Sequence, residues 1–220
     1  MSVELNSEET FVLDIVQDYL SKNRQFDIDD IIPYISYHLR RNSHNLNYQG
    51  IKSILKSLVK KQYLIEGSKL TSEDILKNEK RKSIYNLILK NPGIYFTKIV
   101  KELKLSNHVA VWHLNMLIKF NFIKKRIVDK YEIFFDPNLD YKKAKFSFYV
   151  SLKKSKKIIQ YLKIDNTGIT KTKLSKVLKM HLNTLTKYIE ILAKLNVIVE
   201  EKIDNQVLYF VKEDLLTQNI

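Results

Sequence analysis

An internal repeat is the feature that most constrains the fold of this chain. Shifting the sequence by 75 residues places its middle on its end without a gap, so that Gly93 meets Gly168, Asn121 meets Asn196, and apolar positions meet apolar positions along the way. A weaker copy at the front aligns with the middle at a shift of 59 residues. Since repeated patterns indicate repeated structural units, we infer three similar modules.

The hydrophobic period changes in a set order within the middle module. The pattern predicts a helix over 80–91, a short helix over 98–103 capped by Thr97, a tight connection, a longer helix over 107–120 capped by Ser106, and a two-stranded hairpin over 122–135 that turns at Asp129-Lys130. This succession is the plan of a winged helix-turn-helix, in which the hairpin is the wing.

The same plan extends to the other two modules. In the third module we expect helices over 154–163, 173–178 and 182–195 and a hairpin over 197–211; in the first, helices over 7–19 capped by Ser7, 29–40 and 48–61, and a truncated wing around Glu66-Gly67. The predicted fold is therefore mainly α with small β-hairpin wings, in three tandem winged helix-turn-helix modules at residues 1–71, 72–136 and 137–220. Residues 137–153 begin the last of these as a connecting helix that packs between modules or on a second subunit.

Charge distinguishes the modules. The chain has 38 Lys and Arg against 24 Asp and Glu, a net charge of +14, but residues 1–78 carry 10 basic and 11 acidic residues. The whole excess lies in the last two thirds, which favours a polyanionic partner there, nucleic acid before an anionic membrane surface. The near-neutral first module, with Asp27, Asp29 and Asp30 before its second helix, is expected to dimerise or to bind a protein.

Composition argues against most enzymes and cofactors. The chain has no cysteine and four well-separated glycines, which excludes thiolate chemistry and a glycine-rich phosphate loop. His108 and His113 are five residues apart on one predicted helix and cannot share a metal, and His38, His44 and His181 have no carboxylates arranged nearby in sequence. We expect no enzyme activity, no cofactor, no metal, no membrane insertion, and a cytoplasmic, nucleoid-associated protein.

The segment Ser106–Ile123, SNHVAVWHLNMLIKFNFI, resembles the recognition helix and wing entry of winged-helix transcriptional regulators. The tandem arrangement is similar to archaeal multi-winged-helix regulators, in which Asn-Pro-Gly-Ile precedes the short helix as it does at Asn91–Ile94. The resemblance implies binding to double-stranded DNA and regulation of transcription. Val111 and Trp112 depart from the family pattern, since regulators commonly carry small polar or basic residues at these outward positions.

Candidate contacts follow from this interpretation. The longer helix of the middle module enters the major groove, and the residues off its apolar stripe face the bases. Base contacts are predicted for Asn107, His108, Val111, Trp112 and Asn115, and in the third module for Asn183, Thr186 and Lys187. Phosphate contacts are predicted for Thr97, Lys98, Lys101, Lys124, Lys125, Arg126 and Lys130, and in the third module for Lys171, Lys173 and Lys176. Replacing Lys124, Lys125 and Arg126 together is expected to weaken binding to every DNA sequence.

Each candidate has an alternative. Trp112 and Val111 could form an apolar contact with another module or subunit, His113 fits a semi-buried structural residue, and the lysines could form a solvated face. Glu200 and Glu201 replace Lys125 and Arg126 in the third wing, so the third module either touches DNA through its helices alone or is mainly an interaction module. A rival function is that of an assembly subunit whose winged helices bind proteins, as in membrane-remodelling sorting complexes or RNA-polymerase-associated subunits. A third is non-specific binding to chromosomal DNA.

Overall fold

The computed structural model describes residues 4–23, 25–41, 46–165 and 167–212, which are mainly helical with small antiparallel sheets. In chain order the helices and strands of these residues are α1 (Ser7–Lys22), α2 (Ile28–Arg41), α3 (Tyr48–Lys60), α4 (Ser72–Ile75), α5 (Glu79–Lys90), β1 (Ile94–Tyr95), α6 (Phe96–Glu102), α7 (Asn107–Lys119), β2 (Lys124–Val128), β3 (Tyr131–Phe135), α8 (Tyr141–Ser151), α9 (Lys153–Ile164), β4 (Ile169–Thr170), α10 (Lys171–Val177), α11 (Leu182–Lys194), β5 (Ile198–Ile203) and β6 (Gln206–Val211).

The 75-residue repeat is confirmed in the structure. Helices α6 and α7 fall on α10 and α11 residue for residue at this shift. Each copy also has a three-stranded sheet, in the orders β1-β3-β2 and β4-β6-β5. The pairing of Ile94 with Phe134 is repeated by that of Ile169 with Tyr209, again 75 residues later. We call residues 79–135 the middle copy and residues 153–211 the third copy.

The weaker shift of 59 residues is matched by the third helix. Helix α3 falls on α7 at this shift, and each of α3, α7 and α11 is followed by a residue with left-handed backbone, namely Gln62, Asn121 and Asn196. In all three places the next backbone N–H returns to a carbonyl five residues earlier: Tyr63 to Leu58 at 2.9 Å, Phe122 to Leu117 at 2.8 Å, and Val197 to Leu192 at 2.9 Å. The three helices therefore end by the same turn.

The chain divides into two compact units. The first comprises the residues up to Lys90, Thr97–Lys125 and Asp136–Asn138, and the second comprises Asn91–Phe96, Arg126–Phe135 and the residues from Leu139 onward. The predicted module 72–136 contributes to both units, so the division into three modules stays a prediction. The core of the first unit includes a cluster contributed by α1, α2 and α3 together with Phe26 and Leu64.

Several local predictions were wrong. Helix α1 is capped by Asn6, not Ser7, because Asn6 and Glu9 form a reciprocal capping box. Thr97 lies inside α6, which begins one residue earlier at Phe96, so it does not cap that helix. Residues 61–71 contain turns and no strand, so the truncated wing at Glu66-Gly67 is a loop.

The connecting segment forms the predicted helix, α8, but its apolar face is used within the chain. Phe148 and Tyr149 are buried in the second unit. The centroid of the Phe148 ring lies 6.1 Å from that of Tyr95 and 5.4 Å from that of Tyr131. These aromatic side chains are therefore not offered to a second subunit. No helix of the described residues is long and apolar enough to cross a membrane.

Candidate nucleic-acid interface

Helix α7 is held so that its polar residues face outward. Ser106 caps the helix, its Oγ accepting a hydrogen bond from the Val109 N–H at 3.4 Å, as the sequence predicts. Ala110, Leu114 and Leu117 are buried and fix the inward stripe. Because the candidate base-contact residues follow one another at helical spacing on the other side, all of them are exposed: Asn107, His108, Val111, Trp112 and Asn115.

Trp112 has a partner that the sequence did not indicate. The guanidinium of Arg81 lies 5.2 Å from the centroid of the Trp112 ring, a cation–π contact. Arg81 is 2% exposed and donates from Nη1 to the carbonyl oxygen of Ile75 at 3.0 Å, whereas Trp112 remains 53% exposed. Arg81 belongs to a Lys-Arg-Lys run, and such a run carries no signal that its middle member is buried.

His113 lies in the interior, as its position beside the Leu114 stripe suggests. It is buried, and its ring centroid lies 4.8 Å from that of Trp112. Burial, together with the charges of Arg81 and Lys80, lowers the pKa of His113, so the imidazole is neutral at pH 7.

The phosphate candidates on α6 are not equivalent. Thr97 and Lys101 are exposed, but Lys98 is half-buried and its Nζ lies 3.6 Å from Glu102 on the next turn. Lys101 is therefore the better placed ammonium on this helix.

The wing presents its basic residues to solvent. Lys124, Lys125, Arg126 and Lys130 are all exposed. Lys124, however, donates from Nζ to the carbonyl oxygen of Pro137 at 2.8 Å, which ties the beginning of β2 to the segment after β3. Lys124 therefore has a structural contact that its substitution would remove, whatever contact it makes with a phosphate.

Part of the longer helix of the third copy, α11, packs against other elements of the second unit. Tyr188 and Ile191 of α11, and Leu195 directly after it, pack against a cluster of the second unit that β3 and α8 form together with Val128 and Leu152. Of the base-contact candidates on α11, Asn183 and Lys187 are exposed and Thr186 is half-buried. Asn183 and Lys187 line one cavity with Asp129 and Lys130 of the middle copy's hairpin turn, a convergence that the sequence does not predict.

The phosphate candidates of the third copy also differ in exposure. Lys173 and Lys176 are exposed, whereas the Nζ of Lys171 lies over the Tyr209 ring, 5.7 Å from its centroid. Glu200 and Glu201 are exposed on β5, so the wing of the third copy presents acidic side chains to solvent.

Among the described residues, no three His, Asp or Glu side chains are grouped so that they could hold a metal ion. His44 lies outside the described residues.

Sequence comparison bears out the resemblance drawn from the recognition helix. Over 147 residues, 67% of this chain, the sequence is 27% identical to an uncharacterized HTH-type transcriptional regulator of Methanocaldococcus jannaschii. The chain resembles the helix-turn-helix transcriptional regulators. The matched part of this chain spans 37% of the length of the Methanocaldococcus jannaschii protein. No protein-family model matches the chain.

Two solved structures align with this chain over most of their own length but superimpose poorly. A multiple antibiotic-resistance repressor (MarR) from Listeria monocytogenes gives a TM-score of 0.26 at 17% identity, with 73% of this chain and 96% of that one covered. ScpB from Mycobacterium tuberculosis gives a TM-score of 0.25 at 12% identity, with 67% and 95% covered. Scores this low do not establish a shared overall fold.

Proposed function

We propose that this chain is a double-stranded-DNA-binding transcriptional regulator, not an enzyme, built from three tandem winged-helix modules. In this proposal α7 enters the major groove, and the basic wing, β2–β3, contacts the phosphate backbone. The observation that carries the proposal is the row of exposed side chains on α7, the second helix of a helix-turn-helix, in a chain that resembles a helix-turn-helix transcriptional regulator.

The chemistry of that row suits base edges. The side-chain amides of Asn107 and Asn115 can each form two hydrogen bonds with adenine, and the methyl groups of Val111 can meet a thymine methyl. His108 adds a donor or an acceptor. The charges of Lys101 and the wing supply the affinity that does not depend on sequence.

The test is fluorescence anisotropy of a labelled mixed-sequence duplex, titrated with the protein at several salt concentrations. We expect the logarithm of the affinity to fall linearly with the logarithm of the salt concentration, with a slope that corresponds to about four or more released counterions. Absence of binding at low salt would contradict the proposal.

A charge-matched pair of variants locates the binding surface. Because Lys124 is bonded to Pro137, the wing variant replaces Lys125, Arg126 and Lys130 with Gln, and the control replaces Lys56, Lys60 and Lys69 of the near-neutral first module. The wing variant is expected to bind all sequences more weakly and to reduce the slope by up to about three charges, while the control leaves both unchanged. Equal losses in the two variants would mean that net charge, not the wing, drives binding.

Exposed apolar side chains favour a second candidate, an assembly subunit that binds proteins. Val111 and Trp112 are 45% and 53% exposed on α7, and Ile127 is 69% exposed on the wing. Replacing Trp112 with Ala separates the two functions, since a DNA interface loses affinity for duplex whereas a protein interface loses affinity for a protein partner. Competition with unlabelled chromosomal DNA separates a specific regulator from a non-specific chromosomal binder.

A further inference from the structure

The first unit contains a cavity of about 460 Å³ that the DNA-binding proposal does not use. It is lined by residues of the turn after α3, by α4 and α5, and by the segments that follow α7 and β3. Its volume lies in the range of small-molecule sites, about 300–1,000 Å³.

The walls of the cavity are aromatic. Tyr63, Tyr85 and Phe122 all line it, and the rings of Tyr85 and Phe122 meet edge to face with centroids 5.6 Å apart. The faces of aromatic rings carry partial negative charge and attract cations within about 6 Å.

The charged groups of the lining are predominantly acidic. Glu73 and Asp136 contribute two carboxylates, and Lys61 contributes the one ammonium among the described lining residues. The charge of Lys61 is already neutralised, because its Nζ lies 2.7 Å from Oε2 of Glu9. Lys124, the cation bonded to the Pro137 carbonyl, is not part of the lining.

The negative charge of Asp136 also acts on the aromatic wall. Burial is the main cause that raises the pKa of Tyr85, and the negative charge of Asp136 raises it further. The Asp136 carboxylate therefore lies close enough to interact with the aromatic wall of the cavity.

We propose that this cavity binds an organic ammonium ion, a positively charged nitrogen carried on an apolar body. The cationic head lies between the rings of Tyr85 and Phe122 and the carboxylates of Asp136 and Glu73, and the apolar body fills the remaining volume. The proposal does not depend on DNA binding.

The net charge of the protein makes the test stringent. At +14 the chain as a whole repels cations and attracts anions, so non-specific binding favours an anionic probe. A preference for a cation of the same size therefore reports a local site.

Isothermal titration calorimetry of the full chain with benzyltrimethylammonium and with benzenesulfonate measures this preference. We expect benzyltrimethylammonium to bind with a dissociation constant of about 1 mM or tighter, and about tenfold tighter than benzenesulfonate. Equal or tighter binding of benzenesulfonate, or no saturable binding of the ammonium, would overturn the proposal.

Charge-removing variants place the site. Asp136→Asn and Glu73→Gln are each expected to weaken binding of the ammonium by about threefold to tenfold. Glu66→Gln removes the same charge from an exposed turn outside the lining and should leave the affinity unchanged. If all three variants bind as the natural chain does, the ammonium is not bound in this cavity; thermal unfolding of each variant verifies that it is folded.

Discussion

Glu9 joins the beginning of α1 to the end of α3 through a buried carboxylate. It accepts hydrogen bonds from Lys61 Nζ and Ser57 Oγ, both at 2.7 Å, and from the backbone N–H of Asn6 at 3.0 Å. The hydrogen bond from Lys61 is the main reason that the pKa of Glu9 falls from its ordinary value of 4.5 to about 2, while burial opposes the shift. Because the pKa is lower in the folded state, this stabilisation is complete above about pH 4.5 and is lost as the pH falls towards 2.

Glu9→Gln is therefore expected to lower the free energy of unfolding by about 2 kcal/mol at pH 7, since it leaves the Lys61 ammonium without its carboxylate. The loss should shrink at pH 3, where Glu9 of the natural chain is protonated in the unfolded state. Urea unfolding at the two pH values measures both quantities. Glu8→Gln, an exposed neighbour in the same turn, is the control, and a loss independent of pH would contradict the assignment.

Gly93 and Gly67 separate two costs of a side chain at positive φ. Gly93 has φ +83 and Gly67 has φ +71, so alanine at either position is strained. At Gly93 the added Cβ would also clash with the carbonyl oxygen of Ala144 and approach the backbone N of Phe148 to 3.0 Å, whereas at Gly67 it would meet nothing within 4 Å. We expect Gly67→Ala to cost about 1 kcal/mol and Gly93→Ala at least about 2 kcal/mol more, measured by chemical unfolding. Similar losses in the two variants would show that backbone strain alone is decisive.

At the scale of whole helices and strands, the spacing of apolar residues is enough to predict most of the helices and both hairpins. The stripe Ala110, Leu114 and Leu117 predicted α7 to within a residue, because a buried face must recur with the helical period. The two-residue strands β1 and β4 were missed, since two residues carry no period and their pairing depends on a strand about forty residues away.

The candidate site also combines features that local sequence spacing predicts with contacts that it does not predict. The exposed row on α7 follows from its helical spacing, but the stacking of Arg81 on Trp112 and the bond from Lys124 to Pro137 do not. Both contacts join separate elements, and their positions are set by packing of the folded chain and not by local sequence pattern.

The turn before each longer helix provides a prediction at this scale. Lys104 and Lys179 occupy equivalent positions in the two copies and have φ of 51 and 49, a conformation that glycine adopts without strain. Lys104→Gly is expected to raise the free energy of unfolding by about 0.5 kcal/mol, because relief of strain exceeds the greater entropy of the unfolded glycine chain. Lys101→Gly, the same substitution inside α6, should instead lower it by about 1 kcal/mol. In the third copy, Lys179→Gly should likewise raise the free energy of unfolding and Lys176→Gly should lower it. If Lys104→Gly instead lowers the free energy of unfolding, the turn at Lys104 is not strained.

For the molecule as a whole, the two copies differ in surface charge and in burial more than in backbone. The middle copy keeps a basic wing and an exposed row on α7, whereas the third copy carries Glu200 and Glu201 on its wing and buries part of α11 against β3 and α8. The net charge of +14 therefore does not identify which lysines would contact DNA under the proposed function.

This divergence leads to a comparison of two triple variants with the same loss of charge. One replaces Lys125, Arg126 and Lys130 with Gln, and the other replaces Lys173, Lys176 and Lys187, which are exposed in the third copy. If the middle copy binds DNA and the third does not, the first variant should reduce the salt slope of duplex binding by up to about three charges and the second by less than about one. Anisotropy titrations over a series of salt concentrations give both slopes. Equal reductions, with binding by the first-module control variant unchanged, would place the third copy on DNA as well, despite its acidic wing, because a lysine far from the phosphates releases no counterions.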